Sequence, residues 1–158
     1  MSEVWNQEAL ALQGVELHFV QDNHSYCATR GVLRGLHFQA NPAAQDKLVR
    51  VTRGAVFDVA VDIRRGSATF GKWAGLVLSA EQWNQLLVPK GFAHGFVALE
   101  PDSEVQYKLS APYRRDLSRA ICFDDPDIAI EWPMPAADIT LSDLDRAAPP
   151  LAAIDTGF

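Results

Sequence analysis

The amino-acid sequence predicts an all-β fold, an antiparallel sandwich or barrel with short helices at its periphery. Short runs of apolar or alternating residues recur from about residue 12 to residue 125. Gly, Pro, Asn and Ser turn signals separate these runs. Helical patterns are confined to the two ends of the chain, which argues against a parallel sheet built from alternating strands and helices.

The elements follow in order along the chain. Residues 3–12 mix Trp5 and three aliphatic residues with polar ones and predict a short amphipathic helix. Strands are predicted at residues 47–52, where alternation stops at an Arg-Gly turn, and at residues 55–63. Further strands are predicted at residues 73–78, 85–88, 94–99 and 104–109. The tail from Asp124 onward is rich in Pro and Asp and predicts irregular structure with a short helical turn.

Composition bounds the possible functions. A chain of 158 residues with 48% apolar and 22% charged residues fits a single domain, residues 1–158. The net charge of −6 without a basic cluster argues against a nucleic-acid partner, although a cationic pocket for a phosphate compound remains compatible with it. Cys27 and Cys122 predict neither a disulfide framework nor a zinc site. With no signal peptide or membrane-length apolar run, we expect a cytoplasmic protein without a membrane partner.

Two histidine-bearing segments carry the chemistry. Gly-Val-Leu-Arg-Gly-Leu-His-Phe-Gln spans residues 31–39, and Val-Pro-Lys-Gly-Phe-Ala-His-Gly spans residues 88–95. Two histidines in one pocket, with Arg34 and Lys47 beside the first, indicate acid/base chemistry on an anionic substrate. The alternative is two unrelated histidines at strand ends.

The same segments resemble the two cupin motifs, G-x5-H-x-H at residues 31–39 and P-x-G-x-x-H at residues 89–94. A metal-binding cupin needs the second histidine of the first motif and a nearby glutamate. Here Gln39 stands at that histidine position, and Ala43 and Ala44 stand where the glutamate would come. We therefore expect no metal ligands and no metal dependence.

A more detailed resemblance covers nearly the whole chain, from about residue 2 to residue 149. The segments Gln-Asp-Asn-His-Ser, Gly-Val-Leu-Arg-Gly-Leu-His-Phe-Gln, Lys-Leu-Val-Arg-Val, Gly-Ala-Val-Phe-Asp-Val-Ala-Val-Asp-Ile-Arg, Val-Pro-Lys-Gly-Phe-Ala-His-Gly-Phe and Glu-Val-Gln-Tyr-Lys occur in this order. Together they closely resemble the dTDP-4-dehydrorhamnose 3,5-epimerase family. The resemblance implies a cupin-type jelly-roll barrel, a homodimer without metal or organic cofactor, and a thymidine-diphosphate 4-keto-6-deoxyhexose as substrate.

The resemblance also implies a catalytic set. A C–H bond beside a ketone becomes acidic only if the enolate charge is stabilised where it appears. His37 matches the family's base and Lys47 the cation near the C4 oxygen. Imidazole exchanges protons near neutral pH. Tyr107 matches the family's acid, which acts on the opposite face of the ring. A phenol can serve as this acid because it is protonated at pH 7. Without the resemblance, Tyr107 would be interpreted as a tyrosine at the edge of the core.

Three carboxylates are candidate partners of the two histidines. The family orients its base with an Asp in a Leu-Ser-x-x-Asp pattern, which here ends at Asp145, with Asp143 as the alternative in register. Either could instead be a solvated helix-cap carboxylate. Asp58 falls on an otherwise apolar strand face and is a candidate partner for His94, the alternative being an edge-strand carboxylate in solvent.

Arg34 precedes His37 by three residues, so in a regular strand the two side chains would face opposite sides. They share a pocket only if the strand bends between them, which Gly35 permits. By resemblance, Arg34 and His94 approach the diphosphate and the sugar.

Recognition of the nucleotide is where the sequence departs from the family pattern. Gln21, Asn23 and Tyr113 match substrate-binding positions. Leu144 stands where a Lys usually precedes the orienting Asp, and Ser118 stands near a position where a Glu often contacts the nucleotide. The resemblance therefore implies a complete catalytic set with fewer contacts to the base.

The first residues also depart from the pattern. Family members usually begin with a strand carrying F-x-D-x-R-G-x-F-x-E, and Met1-Ser-Glu here corresponds to its last three residues. Glu3 matches the thymine-contacting glutamate, whereas the preceding Arg is absent. We expect in-frame codons upstream of Met1 that encode the rest of the motif, and tighter nucleotide binding when they are restored. In relatives this strand completes the neighbouring subunit's site.

The sequence thus predicts a metal-independent epimerase acting at C3 and C5 of a dTDP-4-keto-6-deoxyhexose in deoxysugar synthesis, for example of L-rhamnose. One alternative is an enzyme that inverts a single centre. Another is a non-catalytic cupin that binds a sugar nucleotide. A metal-dependent cupin oxygenase is the least favoured.

Overall fold

The computed structural model describes residues 1–158 and contains nine strands. The strands are β1 (Gln21–Cys27), β2 (Leu33–Gln39), β3 (Lys47–Arg53), β4 (Ala55–Asp62), β5 (Trp73–Ser79), β6 (Gln85–Val88), β7 (Phe92–Ala98), β8 (Ser103–Leu109) and β9 (Ser118–Ala120). The helical elements are α1 (Gln7–Ala11), α2 (Asp143–Arg146) and two single 3₁₀ turns at Ala136–Asp138 and Leu151–Ala153.

The strands form two antiparallel sheets. One sheet has the order β1-β8-β3-β6 and the other the order β5-β4-β7-β2-β9. Apart from the consecutive pair β4 and β5, neighbours in each sheet are separated in the chain by other strands, which is the connectivity of a jelly roll. The predicted all-β fold with short peripheral helices is therefore confirmed.

One core fills the space between the sheets, and a second lies outside the five-stranded sheet. Val49 and Val105 of the four-stranded sheet pack against Val56 and Phe96 of the other, and all four are buried. The chain after β9 covers the outer face of the five-stranded sheet with Ile121, Ile128 and Leu151, among others. Because both faces of this sheet are covered, polar side chains that point between the sheets lie in a shielded interior.

Strand alternation selects which polar groups enter that interior. On β4, Val56 belongs to the inner core and Val59 to the outer one, so Asp58 points inward. On β7, His94 lies opposite Ala60 and Phe96 lies opposite Asp58, so both face the same interior.

An irregularity in β2 brings Arg34 and His37 to one side. Arg34 pairs with Phe96 and His37 pairs with His94, so the register shifts between them. Gly35 lies in this shift with φ +126°, and a Cβ there would come within 2.7 Å of the His94 carbonyl oxygen. The bend that the sequence permitted at this glycine is present.

The structure corrects several boundaries. The helix predicted over residues 3–12 is only Gln7–Ala11, because the Asn6 side chain caps it by accepting from the Ala9 N–H at 3.1 Å. The six predicted strands differ by at most two residues from those observed. β1, β2 and β9 were not predicted individually. None of the helices has the length and apolar character needed to cross a membrane.

Candidate active site

Two adjoining cavities open between the sheets. The first, here called the reaction cavity, has a volume of about 310 Å³ and is lined by Ser25, Arg34, His37, Lys47, His94, Phe96, Tyr107, Ser142, Leu144 and Asp145. The second, the cationic cavity, has a volume of about 380 Å³. It adds Asn23, Phe38, Gln39, Gln45, Leu109, Tyr113, Arg115, Ser118, Arg119 and Ala120. Both cavities are lined by His37, Lys47, Tyr107 and Leu144, so an elongated ligand could occupy both.

His37 and Asp145 form a close pair. His37 Nε2 lies 2.5 Å from Asp145 Oδ1. The histidine side chain is 37% exposed, whereas that of Asp145 is only 4% exposed. Burial raises the pKa of Asp145, but hydrogen bonds from His37 and Ser142 and the charge of His37 outweigh it, so this pKa lies below its ordinary value. The carboxylate is thus ionised beside the imidazole, whereas the rival Asp143 is exposed.

The C-terminal segment is anchored so that Asp145 reaches β2. Thr140 bonds to the backbone at both sides of Val32, accepting from Leu33 N–H at 2.9 Å and donating to Gly31 O at 2.9 Å. Ser142 caps α2: its Oγ accepts from Asp145 N–H at 3.1 Å and donates to Asp145 Oδ2 at 2.9 Å. Both carboxylate oxygens of Asp145 are therefore held.

Lys47 approaches His37 from the opposite sheet. It lies on β3, is buried, and its Nζ donates to the His37 carbonyl oxygen at 3.3 Å. Burial lowers the pKa of Lys47 to about 8, and the negative charge of Asp58 partly opposes this shift. An ammonium group in a shielded site stabilises a developing negative charge more strongly than one in water.

His94 and Asp58 form a second, fully buried pair. His94 Nε2 lies 2.9 Å and 3.1 Å from the two carboxylate oxygens of Asp58. Their side chains are 6% and 0% exposed. This contact orients the ring and leaves Nδ1 as the nitrogen available to a ligand in the reaction cavity.

Tyr107 stands on the wall that faces His37. It lies on β8, between Asn23 of β1 and Val49 of β3, and therefore belongs to the four-stranded sheet. His37 belongs to the five-stranded sheet, and both side chains line the reaction cavity. A ring bound between the sheets would have an imidazole on one side and a phenol on the other.

Arg115 and Arg119 were missed at the sequence level. Both line the cationic cavity, together with Asn23 and Tyr113. Gln21 lines neither cavity. Its amide donates to Asn23 Oδ1 at 2.8 Å and accepts from Tyr113 N–H at 2.9 Å. The only available signal was the basic pair before Asp116, and it gave no indication of which way the loop folds.

The side chain of Gln39, at the cupin ligand position, forms hydrogen bonds with backbone groups. Its amide nitrogen donates to the Ala43 and Pro112 carbonyl oxygens at 2.5 Å and 3.0 Å. Its oxygen accepts from Arg114 N–H at 2.7 Å. No group of three or more His, Cys, Asp or Glu side chains is arranged to hold a metal ion.

Of the two remaining predicted site residues, Arg34 lies in the site and Glu3 does not. Arg34 lines the reaction cavity, and its guanidinium donates to the Tyr26 carbonyl oxygen at 3.1 Å. Glu3 lines neither cavity of its own chain. Its neighbours Ser2 and Val4 line a different depression beside Gln85.

A cavity of this kind suits proton removal from one face of a sugar ring and proton delivery to the other. The fold and the site together define an acid/base isomerase built on a jelly roll. The chain belongs to the dTDP-4-dehydrorhamnose 3,5-epimerase family, whose model matches residues 1–153. The resemblance stated from the sequence is thereby confirmed.

Individual relatives agree with this assignment. The dTDP-4-dehydrorhamnose 3,5-epimerase of Sinorhizobium fredii is 47% identical over 99% of this chain and 80% of its own length. The structure of the Bacillus anthracis epimerase, with TDP and PPi bound, has a TM-score of 0.92 and 48% identity, covering 95% of this chain and 85% of that one. The Legionella pneumophila enzyme, in complex with dTDP-4-keto-L-rhamnose, has a TM-score of 0.91 and 45% identity, covering 97% of this chain and 80% of that one.

Proposed function

We propose that the protein epimerises a dTDP-4-keto-6-deoxyhexose at C3 and C5, as in the formation of the L-rhamnose precursor. The observation that carries the proposal is the placement of His37 and Tyr107 on facing walls of one cavity. Inversion at carbon requires a proton to leave one face and another to arrive at the opposite face. The molecules bound to the relatives described above support the substrate class.

In the proposed mechanism His37 acts as the base through Nδ1, because Nε2 is held by Asp145. The C–H bond at C3 or C5 breaks, its electron pair forms the enolate, and the negative charge on the C4 oxygen is stabilised by Lys47. Tyr107 then donates its proton to the carbon from the other side. Solvent restores the proton to the tyrosinate and takes the proton from the imidazolium, so that atoms and charges balance.

The cationic cavity is the proposed binding site of the nucleoside diphosphate. Arg115 and Arg119 are suited to the diphosphate, because guanidinium groups bind phosphate oxygens through paired hydrogen bonds. We assign Asn23 and Tyr113, which line the same cavity, to contacts with the nucleoside. Since this cavity adjoins the reaction cavity, a diphosphate bound there would hold the sugar between His37 and Tyr107.

The direct test is incubation with dTDP-4-keto-6-deoxy-D-glucose, followed by proton NMR of the product. We expect the L-lyxo sugar, inverted at both C3 and C5. Inversion at one centre would instead establish a single-centre epimerase. Tight binding without any conversion would establish a non-catalytic sugar-nucleotide-binding protein.

Lys47 gives a pH prediction. Its pKa is lowered to about 8, so the ammonium charge that stabilises the enolate is lost as the pH rises through that value. We expect kcat/KM to be maintained just below pH 8 and to fall about tenfold per pH unit above it, because this ratio reports the free enzyme.

The matched control is Lys47→Arg, whose guanidinium stays charged throughout this range. The variant is expected to be slower at pH 7, since the buried cation is displaced, but to lack the decline near pH 8. If the variant kept the same decline, the titrating group would be another residue and not Lys47.

We propose, finally, that the enzyme is a cytoplasmic homodimer. Family membership supports the dimer, and so does β1, an edge strand of seven residues whose outward positions are available to a second copy. Sedimentation equilibrium is expected to give twice the chain mass of 17.4 kDa, whereas a monomer at micromolar concentration would contradict the proposal.

A further inference from the structure

Asp145 is held by two side chains, one at each carboxylate oxygen. His37 Nε2 lies 2.5 Å from Oδ1, and the Ser142 hydroxyl donates to Oδ2 at 2.9 Å. In the proposed mechanism only the first of these contacts has a role. Ser142 also lines the reaction cavity. The second contact therefore lies in the site itself and not in a distant support of the fold.

The contact to Oδ2 restricts a rotation that the contact to Oδ1 leaves free. The last torsion of an aspartate side chain is broad, so one contact does not fix the plane of the carboxylate. The side chain of Asp145 is only 4% exposed, so water has little access to replace a missing donor at Oδ2. Without that donor the carboxylate would turn toward other partners, and Oδ1 would lose its alignment with His37.

Ser142 has a second role, which is chemically different from the first. Its Oγ accepts from the Asp145 N–H at 3.1 Å and so caps α2, which has only four residues. A helix this short depends on its caps and tethers. Capping uses the hydroxyl as an acceptor, whereas the contact to Oδ2 uses it as a donor. Glycine is nearly as good a cap as serine but has no side-chain donor, whereas threonine can serve both roles.

We propose that Ser142 is a positioning residue for proton abstraction: by donating to Oδ2, it holds Asp145 in the orientation in which Oδ1 accepts from His37. The imidazole then keeps Nε2 on the carboxylate and Nδ1 free for the substrate. The inference rests on the proposed function, in which Asp145 orients the base, and adds the group that orients Asp145. Ser142 acts through the carboxylate and needs no contact with the sugar.

The test is steady-state kinetics with dTDP-4-keto-6-deoxy-D-glucose on three variants. In Ser142→Gly and Ser142→Ala we expect kcat to fall about tenfold, as for loss of a hydrogen bond to a charged group, with KM and dTDP binding nearly unchanged. Ser142→Thr, which keeps a donor, should retain most of the wild-type kcat. A Ser142→Gly variant with the wild-type kcat would overturn the proposal, because capping alone would then account for Ser142.

A double-mutant cycle shows whether Ser142 acts through Asp145. In an Asp145→Ala protein that binds dTDP, the donor has no carboxylate to hold, so adding Ser142→Gly should leave the residual rate of ring-proton exchange unchanged. A further fall of about tenfold would mean that Ser142 contacts the substrate directly, and would overturn the proposal. Failure of wild type to convert the substrate would instead overturn the proposed function itself.

Discussion

Replacement of His37 by alanine is expected to abolish both product formation and incorporation of solvent deuterium into the sugar ring. Removal of a general base costs roughly 10² to 10⁴ in rate. The other imidazole of the reaction cavity, His94, is held by Asp58. The measurement is NMR detection of ring-proton exchange in D₂O, with dTDP binding as the test of intact folding. Exchange at a rate near that of wild type would assign the base to another residue, with His94 the first candidate.

Asp145→Asn is the matched variant for this experiment. Its amide oxygen can still accept from the imidazole, but the negative charge that stabilises the imidazolium is lost. We expect folding and dTDP binding to be retained and turnover to fall by roughly 10²-fold or more. Asp143→Asn, two residues earlier and exposed, should have little effect, and so separates the two carboxylates of α2.

Replacement of Tyr107 by phenylalanine is expected to separate proton exchange from inversion. The variant keeps the ring and its packing but loses the phenolic proton. His37 can still form the enolate reversibly, so deuterium should continue to enter the substrate. Since the enolate is mostly reprotonated from the His37 face at C5, the original configuration returns, and label uptake should greatly exceed inversion.

The opposite result is equally informative. A tyrosine that only supported the fold would affect exchange and inversion together, through poor binding. If both rates fall in parallel in a Tyr107→Phe protein that is folded and binds dTDP, Tyr107 does not set the stereochemistry. The two-sided mechanism would then be wrong.

Strands with apolar alternation could be predicted from the sequence, and polar ones could not. β6 was predicted to the residue, because turn signals bound it on both sides. β1 has the sequence Gln-Asp-Asn-His-Ser-Tyr-Cys, in which only the final residue is buried, so no apolar period marks it. β9 has three residues, too few for any period to be recognised.

The candidate site shows the same division. The bend at Gly35 could be anticipated, because only a bend lets Arg34 and His37 share a cavity and glycine permits one. The inward position of Asp58 followed from the alternation of β4. Arg115 and Arg119 could not be placed in the same way, because they lie on or beside an irregular loop whose direction is set by tertiary contacts, including the Gln39 bond to Arg114.

The most direct measurement of the central claim is conversion of dTDP-4-keto-6-deoxy-D-glucose in D₂O by the wild-type enzyme. The mechanism predicts a product inverted at C3 and C5, with one solvent deuterium at each of these carbons, because Tyr107 delivers a proton that has exchanged with solvent. Inversion without deuterium at those carbons would mean that hydrogen is transferred within the substrate. That result would contradict proton removal and delivery by two protein side chains.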